Sequence, residues 1–243
     1  MTRAHRWWTR VARWMAAAGI GAVLVVTSIV FGGVSSAAPT ITAVGGLADA
    51  QGSGVSSLTV SPKSVGDALV LTAKVSSATA TVSSVAGGGV TTWTKLISYQ
   101  DNTSHDLEIW LGTVTTAGSA KITVGYSTSV SGASVELTAQ EFTAGLGATT
   151  VWAKDTAAGQ SNVSSTTIAS PPLTPATTGE LYLGYSRSPG QLLAGSTPGF
   201  TYDPTALGNM VLYDTGVSSA VAPTSRQSPA DTSSTVGALI EAS

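Results

Sequence analysis

The chain has 243 residues, of which 13 are acidic and 11 are basic, and it contains no cysteine. Without cysteine it can form neither disulfides nor thiolate metal sites. Four of the 11 basic residues lie in the first 38 positions, which leaves 7 basic against 13 acidic residues in the rest of the chain. That excess of acid excludes the basic surface that nucleic-acid binding requires.

The N-terminus has the pattern of a secretory signal peptide. Four arginines precede an uncharged segment at 15–34, and small residues follow up to Ala38. This order is typical of an export signal. We therefore predict a signal peptide at 1–37, cleaved after Ala37, and a secreted, extracellular protein without membrane contact after cleavage. The alternative is an uncleaved N-terminal helix that anchors the chain, because an uncharged segment of this length can span a bilayer.

Beyond residue 38 the sequence predicts strands and turns in chain order. Short runs rich in Val, Ile, Leu, Thr and aromatic residues alternate with clusters of Gly, Ser, Asn and Pro, which is typical of β-strands and their turns. No segment shows a sustained apolar period of 3.6 residues, so we expect no long helix. The fold class is therefore all-β, a two-sheet antiparallel β-sandwich of jelly-roll, Ig-like or lectin-like type. The predicted strands are 41–44, 57–61, 67–75, 90–99, 105–114, 121–126, 134–142, 164–169, 180–186, 209–213 and 234–240.

An internal repeat organises these strands. The motif Pro62-Lys-Ser-Val-Gly-Asp67 returns as Pro175-Ala-Thr-Thr-Gly-Glu180, each time before an apolar strand. A repeat of about a hundred residues indicates two related half-domains rather than a solenoid. We predict two pseudo-equivalent halves, 39–143 and 151–243, joined by a segment at 144–162 that passes into the first strand of the second half. Because the second half is small, we expect one shared sandwich domain at 39–243.

The run from His105 to Leu111 carries the candidate site. Leu107, Ile109 and Leu111 alternate with Asp106, Glu108 and Trp110, so the apolar set should face the core and the other set the opposite face. An exposed Trp110 beside two carboxylates could stack on a sugar ring. The candidate ligand-binding residues are Trp110, Glu108, Asp106 and Tyr99.

Two other interpretations of this run stay open. A pair of carboxylates on one strand face, next to an aromatic residue, is found in glycosidases, so Asp106 and Glu108 could be catalytic. A solvated polar face of a strand would show the same pattern.

Other chemistries have little support in the sequence. His105 is the lone histidine after residue 38 and there is no Gly-x-Ser-x-Gly motif, so neither a serine triad nor a zinc site is expected. The segment 101–106 could hold calcium through its oxygens, but Asp and Asn are also ordinary turn residues. We predict no catalytic residue, no metal and no cofactor.

Several short motifs occur along the chain after residue 56: Ser57-Leu-Thr-Val-Ser-Pro62, Val65-Gly-Asp-Ala-Leu-Val70, Thr92-Trp-Thr94, Leu107-Glu-Ile-Trp-Leu111 with Thr115-Thr-Ala-Gly118, and Ala139-Gln-Glu-Phe142. Together they resemble a β-sandwich module of secreted actinobacterial proteins and of proteins linked to cell surfaces or phage tails. The resemblance implies an extracellular accessory or adhesion role and no catalytic residue.

We therefore expect a non-catalytic binding or adhesion module whose partner is a polysaccharide or other glycan of a cell envelope or of the environment. The alternatives are a glycoside-active enzyme that uses Asp106 and Glu108, or a purely structural surface protein.

Overall fold

The computed structural model describes residues 39–243, and the predicted signal peptide lies outside them. In this part of the chain the backbone is β-structure, and the only helical element is a single 3-10 turn at Gly147–Thr149. The all-β prediction is confirmed. The strands are β1 (Thr42–Ser53), β2 (Ser57–Val60), β3 (Ala68–Val75), β4 (Val82–Gly87), β5 (Val90–Gln100), β6 (Asp106–Val114), β7 (Ala120–Tyr126), β8 (Ser134–Thr143), β9 (Trp152–Ala169), β10 (Glu180–Arg187), β11 (Gln191–Leu193), β12 (Thr201–Pro204), β13 (Met210–Val217) and β14 (Thr224–Ala242).

The first sheet contains β1 to β8 in the order β1-β8-β3-β6-β5-β4-β7-β2, and all its pairs are antiparallel. This sheet is strongly curled, so that its two edge strands, β1 and β2, come into contact. The curl lays β2, β4 and β7 over one face of β3, β6 and β8. A hydrophobic core fills the space between them, with Leu71, Trp110 and Leu137 on one side and Val82 and Ile122 on the other.

The second sheet contains the rest of the strands. Its order is β11-β14-β10-β13-β12, and the long strand β9 pairs with β14 outside this path. All its pairs are antiparallel as well. β14 is central, since it pairs with β9, β10 and β11.

A second core lies between the two sheets. Leu107, Ile109 and Leu111 of β6 share one cluster of buried apolar side chains with Leu183 of β10 and Ala238 of β14. Residues 39–243 accordingly belong to one compact unit. Among these residues, no helix is long and apolar enough to cross a membrane.

Several local predictions differ from the structure. No strand was predicted at β4, β11 or β12. The serines at 83 and 84 weaken the apolar pattern of β4, and β11 and β12 have only three and four residues. The segment at 144–162 was predicted to pass into the first strand of the second half, and β9 does begin there, at Trp152, but it runs without a break to Ala169, where only 164–169 was predicted as a strand. Small residues fill this strand, so its sequence lacks the large β-branched and aromatic side chains that mark most strands.

Candidate functional site

β6 is buried on both faces. It lies between β3 and β5, and Leu107, Ile109 and Leu111 face the second sheet as predicted. Trp110 lies on the opposite face, also as predicted, but it is only 7% exposed. The expected solvated face of this strand is therefore wrong, because the curl of the first sheet covers it with β4 and β7.

Glu108 is completely buried and its carboxylate is fully engaged. Oε1 accepts a hydrogen bond of 2.8 Å from the backbone N–H of Val82, and Oε2 accepts one of 2.7 Å from Nε1 of Trp110. Nζ of Lys95 lies 2.9 Å from Oε2. A buried carboxylate needs this many partners to offset its lost hydration.

Lys95 reaches the carboxylate from the surface, and a third of its side chain is exposed. Its Nζ also donates to the carbonyl oxygen of Val82 at 2.8 Å and lies 5.0 Å from the centre of the Trp110 ring. An ammonium group over an aromatic face adds a favourable electrostatic contact. The cation is thus held by the same residues that hold Glu108.

Asp106 is also completely buried, beside Glu108. Its Oδ1 accepts a hydrogen bond of 2.9 Å from the hydroxyl of Ser98. Within residues 39–243, its Oδ2 has no partner other than the neighbouring carboxyl group. Burial, together with the adjacent Glu108, raises the pKa of Asp106 to about 8, so this carboxyl group is protonated at neutral pH.

Tyr99 lies away from these three residues, on the face of β5 that meets the second sheet. It is half-buried: its ring packs on the backbone of Gly159 in β9, and its hydroxyl lies 3.0 Å from the hydroxyl of Ser161. The four candidate residues therefore do not form one surface. Asp106, Glu108 and Trp110 come together in the core of the first half, and Tyr99 lies at the seam between the sheets.

The turn at 101–106, considered above as a possible calcium site, also lies at that seam. Asp101 accepts hydrogen bonds from the backbone N–H groups of Thr103 and His105, both at 2.8 Å, and from the hydroxyl of Ser234 at 2.6 Å. Nη1 of Arg187 lies 3.9 Å from Oδ2 of Asp101. Burial lowers the pKa of His105, and the positive charge of Arg187 lowers it further, so the imidazole is neutral at pH 7. Two of the donors to Asp101 are backbone N–H groups two and four residues further along the chain, as in turns that begin at an aspartate.

Glu136 of β8, at the same seam, is a residue that the sequence analysis missed. Its carboxylate accepts hydrogen bonds from the hydroxyl of Tyr185, from Nδ2 of Asn209 at 2.8 Å and from the N–H of Leu207 at 3.1 Å. These partners all come from the second half of the chain. No sequence pattern pairs Glu136 with them, because they are separated from it by 49 to 73 residues.

A small cavity of about 150 Å³ opens where β1 bulges away from β8. Gly45, Lys63 and Glu141 are among the residues that line it. Glu141 accepts a hydrogen bond of 2.7 Å from the N–H of Lys63, and burial raises its pKa. Among residues 39–243, no cluster of three or more His, Asp or Glu side chains is arranged to hold a metal ion.

Comparison of the chain with protein-family models, with curated proteins and with solved structures finds no match.

Proposed function

We propose that this chain is a secreted or surface-associated, non-catalytic binding module whose partner is a glycan of a cell envelope or of the environment. The burial of Asp106 and Glu108 is the observation that carries the non-catalytic part. Both carboxyl groups are fully buried, and that of Glu108 is surrounded by fixed partners. A glycosidase needs its two carboxyl groups to flank the scissile bond of a bound sugar, and these two have no surface at which a sugar could lie.

One observation favours the glycoside-active alternative. Burial and the neighbouring Glu108 raise the pKa of Asp106 to about 8, and the carboxyl group of Glu108 is held in place by fixed donors. Acid and base pairs of this kind occur in hydrolases. Release of reducing sugar from envelope or environmental polysaccharides by the purified protein would favour the enzyme over the binding module.

The proposal includes a particular architecture, a β-sandwich made of two equivalent halves, 39–143 and 151–243. The order β1-β8-β3-β6-β5 in the first sheet parallels the order β9-β14-β10-β13-β12 in the second, which supports equivalence. The shared cluster between the sheets supports face-to-face packing. A rigid scaffold of this kind often positions the residues that bind a ligand.

Tyr99 is the candidate ligand residue that keeps contact with solvent. Its half-buried ring and its hydroxyl lie beside Ser161, so a ring face and two hydroxyl groups are offered together at the seam. Sugars combine apolar C–H faces with hydroxyl groups, and an aromatic ring with nearby hydroxyls complements both.

A glycan array probed with the secreted protein tests this proposal. We expect binding to at least one envelope or environmental polysaccharide, loss of that binding in Tyr99→Ala, and retention in Tyr99→Phe, which keeps the ring. Tyr213→Phe serves as a control on a tyrosine that packs against Phe142 instead. Absence of binding to every glycan on the array would contradict glycan binding and leave the purely structural role.

A further inference from the structure

The buried group around Glu108 brings an amine, a carboxyl group and a proton donor together. Lys95 lies opposite Trp110 in the β5–β6 ladder, and Glu108 lies two residues before Trp110 on the same face. Side chains at such diagonal positions on adjacent strands can reach one another. Here Nζ of Lys95 is already 2.9 Å from Oε2 of Glu108.

We propose that Lys95 and Glu108 become joined by an intramolecular amide bond between Nζ and Cδ, with Asp106 as the proton-transferring group. This is a covalent modification site, and it gives the buried acids a role that requires no external substrate.

The reaction balances without any added reagent. A proton passes from the ammonium group to the carboxylate, which leaves a neutral amine and a neutral acid. The lone pair of Nζ then forms a bond to Cδ, and the electrons of the C=O bond move to the oxygen. Asp106 gives its proton to the hydroxyl group and takes one from Nζ, the C–O bond breaks, and one water molecule leaves. Asp106 ends in the state in which it began.

The surroundings of the carboxyl group favour each step. The N–H of Val82 lies 2.8 Å from Oε1, where negative charge develops during the attack, and fixed donors at such a position lower the barrier. Trp110 holds the other oxygen at 2.7 Å. The carbonyl oxygen of Val82 holds Nζ at 2.8 Å. The reacting atoms are therefore oriented before the reaction begins.

Asp106 fits the proton-transferring role by position and by state. It adjoins Glu108, and its Oδ2 has no other partner among residues 39–243. The raised pKa of Asp106 keeps it protonated at neutral pH. Tyr126, the other titratable group near Glu108, does not compete, because burial raises its pKa to about 12. The exposed third of the Lys95 side chain marks a route by which the water can leave.

Intact-mass spectrometry of the full chain tests the bond directly. We expect the wild-type protein to be one water molecule lighter than the mass of its polypeptide. Trypsin should fail to cut after Lys95, and tandem mass spectrometry should find one branched peptide that contains both Lys95 and Glu108. A wild-type protein of full mass that trypsin cuts after Lys95 would overturn the proposal, whatever the variants do.

Variants then test the individual roles. Lys95→Met and Asp106→Asn should keep the full mass, whereas Lys121→Met, which changes an exposed lysine, should still lose water. Glu108→Gln should form the same bond by releasing ammonia, so its final mass should equal that of the linked wild type. Loss of water from Lys95→Met would show that another pair reacts, and loss from Asp106→Asn would remove Asp106 from the mechanism. Circular dichroism shows whether each variant is folded.

Discussion

Glu136 shows how one buried carboxylate can hold the two sheets together. It is 1% exposed and accepts hydrogen bonds from Tyr185, Leu207 and Asn209 of the second half. A buried donor that loses its acceptor costs more than the bond itself contributed, because it has already lost its hydration.

We expect Glu136→Ala to lower the free energy of unfolding by roughly 3 to 5 kcal/mol, since three donors lose their acceptor at once. Urea denaturation measures the loss. Glu241→Ala is the matched control, because Glu241 is half-buried near the end of β14 and should change stability by no more than about 0.5 kcal/mol. Equal effects of the two changes would contradict this role of Glu136.

Trp110 is a packing residue as well as a hydrogen-bond donor. We expect Trp110→Ala to cost roughly 3 to 5 kcal/mol, because it leaves a cavity in the core of the first sheet and removes a donor from Glu108. A thermal melt measures the effect. Val163→Ala is the control, since that side chain is 83% exposed. A melting temperature close to that of the wild type would mean that Trp110 is not needed for packing.

At the residue scale, alternation predicted the faces of β6 correctly but not their surroundings. The period of two separates Leu107 and Ile109 from Glu108 and Trp110, and the structure keeps that separation. What covers each face depends on strands that are distant in sequence, and β4 was not predicted at all. For that reason Glu108 and Trp110 were expected at the surface and are found in the core.

At the scale of elements, the same arrangement of carboxyl groups stabilises both Pro-x-x-x-Gly-acid turns, Pro62–Asp67 and Pro175–Glu180. In the first turn Glu141 accepts a hydrogen bond from the N–H of Lys63 and lies beside Asp67. In the second, Asp155 accepts one of 2.8 Å from the N–H of Ala176 and lies beside Glu180. Each turn is thus fastened by a carboxylate that has a second carboxyl group as its neighbour.

These carboxyl pairs make stability depend on pH. Burial, and in smaller part the neighbouring acid, raises the pKa of Glu180 and likewise that of Glu141. Above the ordinary pKa of glutamic acid the folded chain therefore holds more protons than the unfolded chain. Stability from these groups is complete at lower pH and is lost as the pH rises through the raised values.

We expect urea unfolding of the wild type to show falling stability from about pH 4 toward neutrality, in line with that linkage. Glu180→Gln, which cannot ionise, should reduce the slope. Asp214→Asn, at a carboxylate in β13 that accepts a hydrogen bond from the N–H of Gly216, should leave it unchanged. A slope that is the same in the wild type and in Glu180→Gln would exclude Glu180 as a source.

The sequence predicted most strands within a few residues, and the misses have a physical cause. β3, β6 and β10 are rich in large apolar and β-branched side chains, which sequence patterns detect well. β9 has few such side chains: it is long, rich in small and polar residues, and stabilised by its pairing with β14. The composition of a single strand does not reveal the partners that stabilise it.

At the scale of the whole molecule, the core between the sheets makes each half depend on the other. Residues 39–143 alone would expose Val70, Leu107, Ile109, Leu111 and Phe142, which the second sheet buries in the full chain. Exposed apolar surface of this size promotes association.

We expect the isolated segment 39–143 to bind a hydrophobic dye such as ANS and to aggregate, whereas the full chain does neither. Size-exclusion chromatography and dye fluorescence measure both. Replacing Ile109 by threonine in the segment should reduce dye binding, because it removes part of the exposed face. A monomeric segment that binds no dye would show that the first half is self-sufficient.

The central place of β14 sets an order of events during synthesis. β9 and β10 do not pair with each other; each pairs with β14, and β11 does so too. The ribosome makes residues 224–242 after all of these strands, so β9, β10 and β11 lack their shared partner until that strand emerges, although β10 can already pair with β13. We therefore expect the core between the two sheets to close only after the end of the chain has been made.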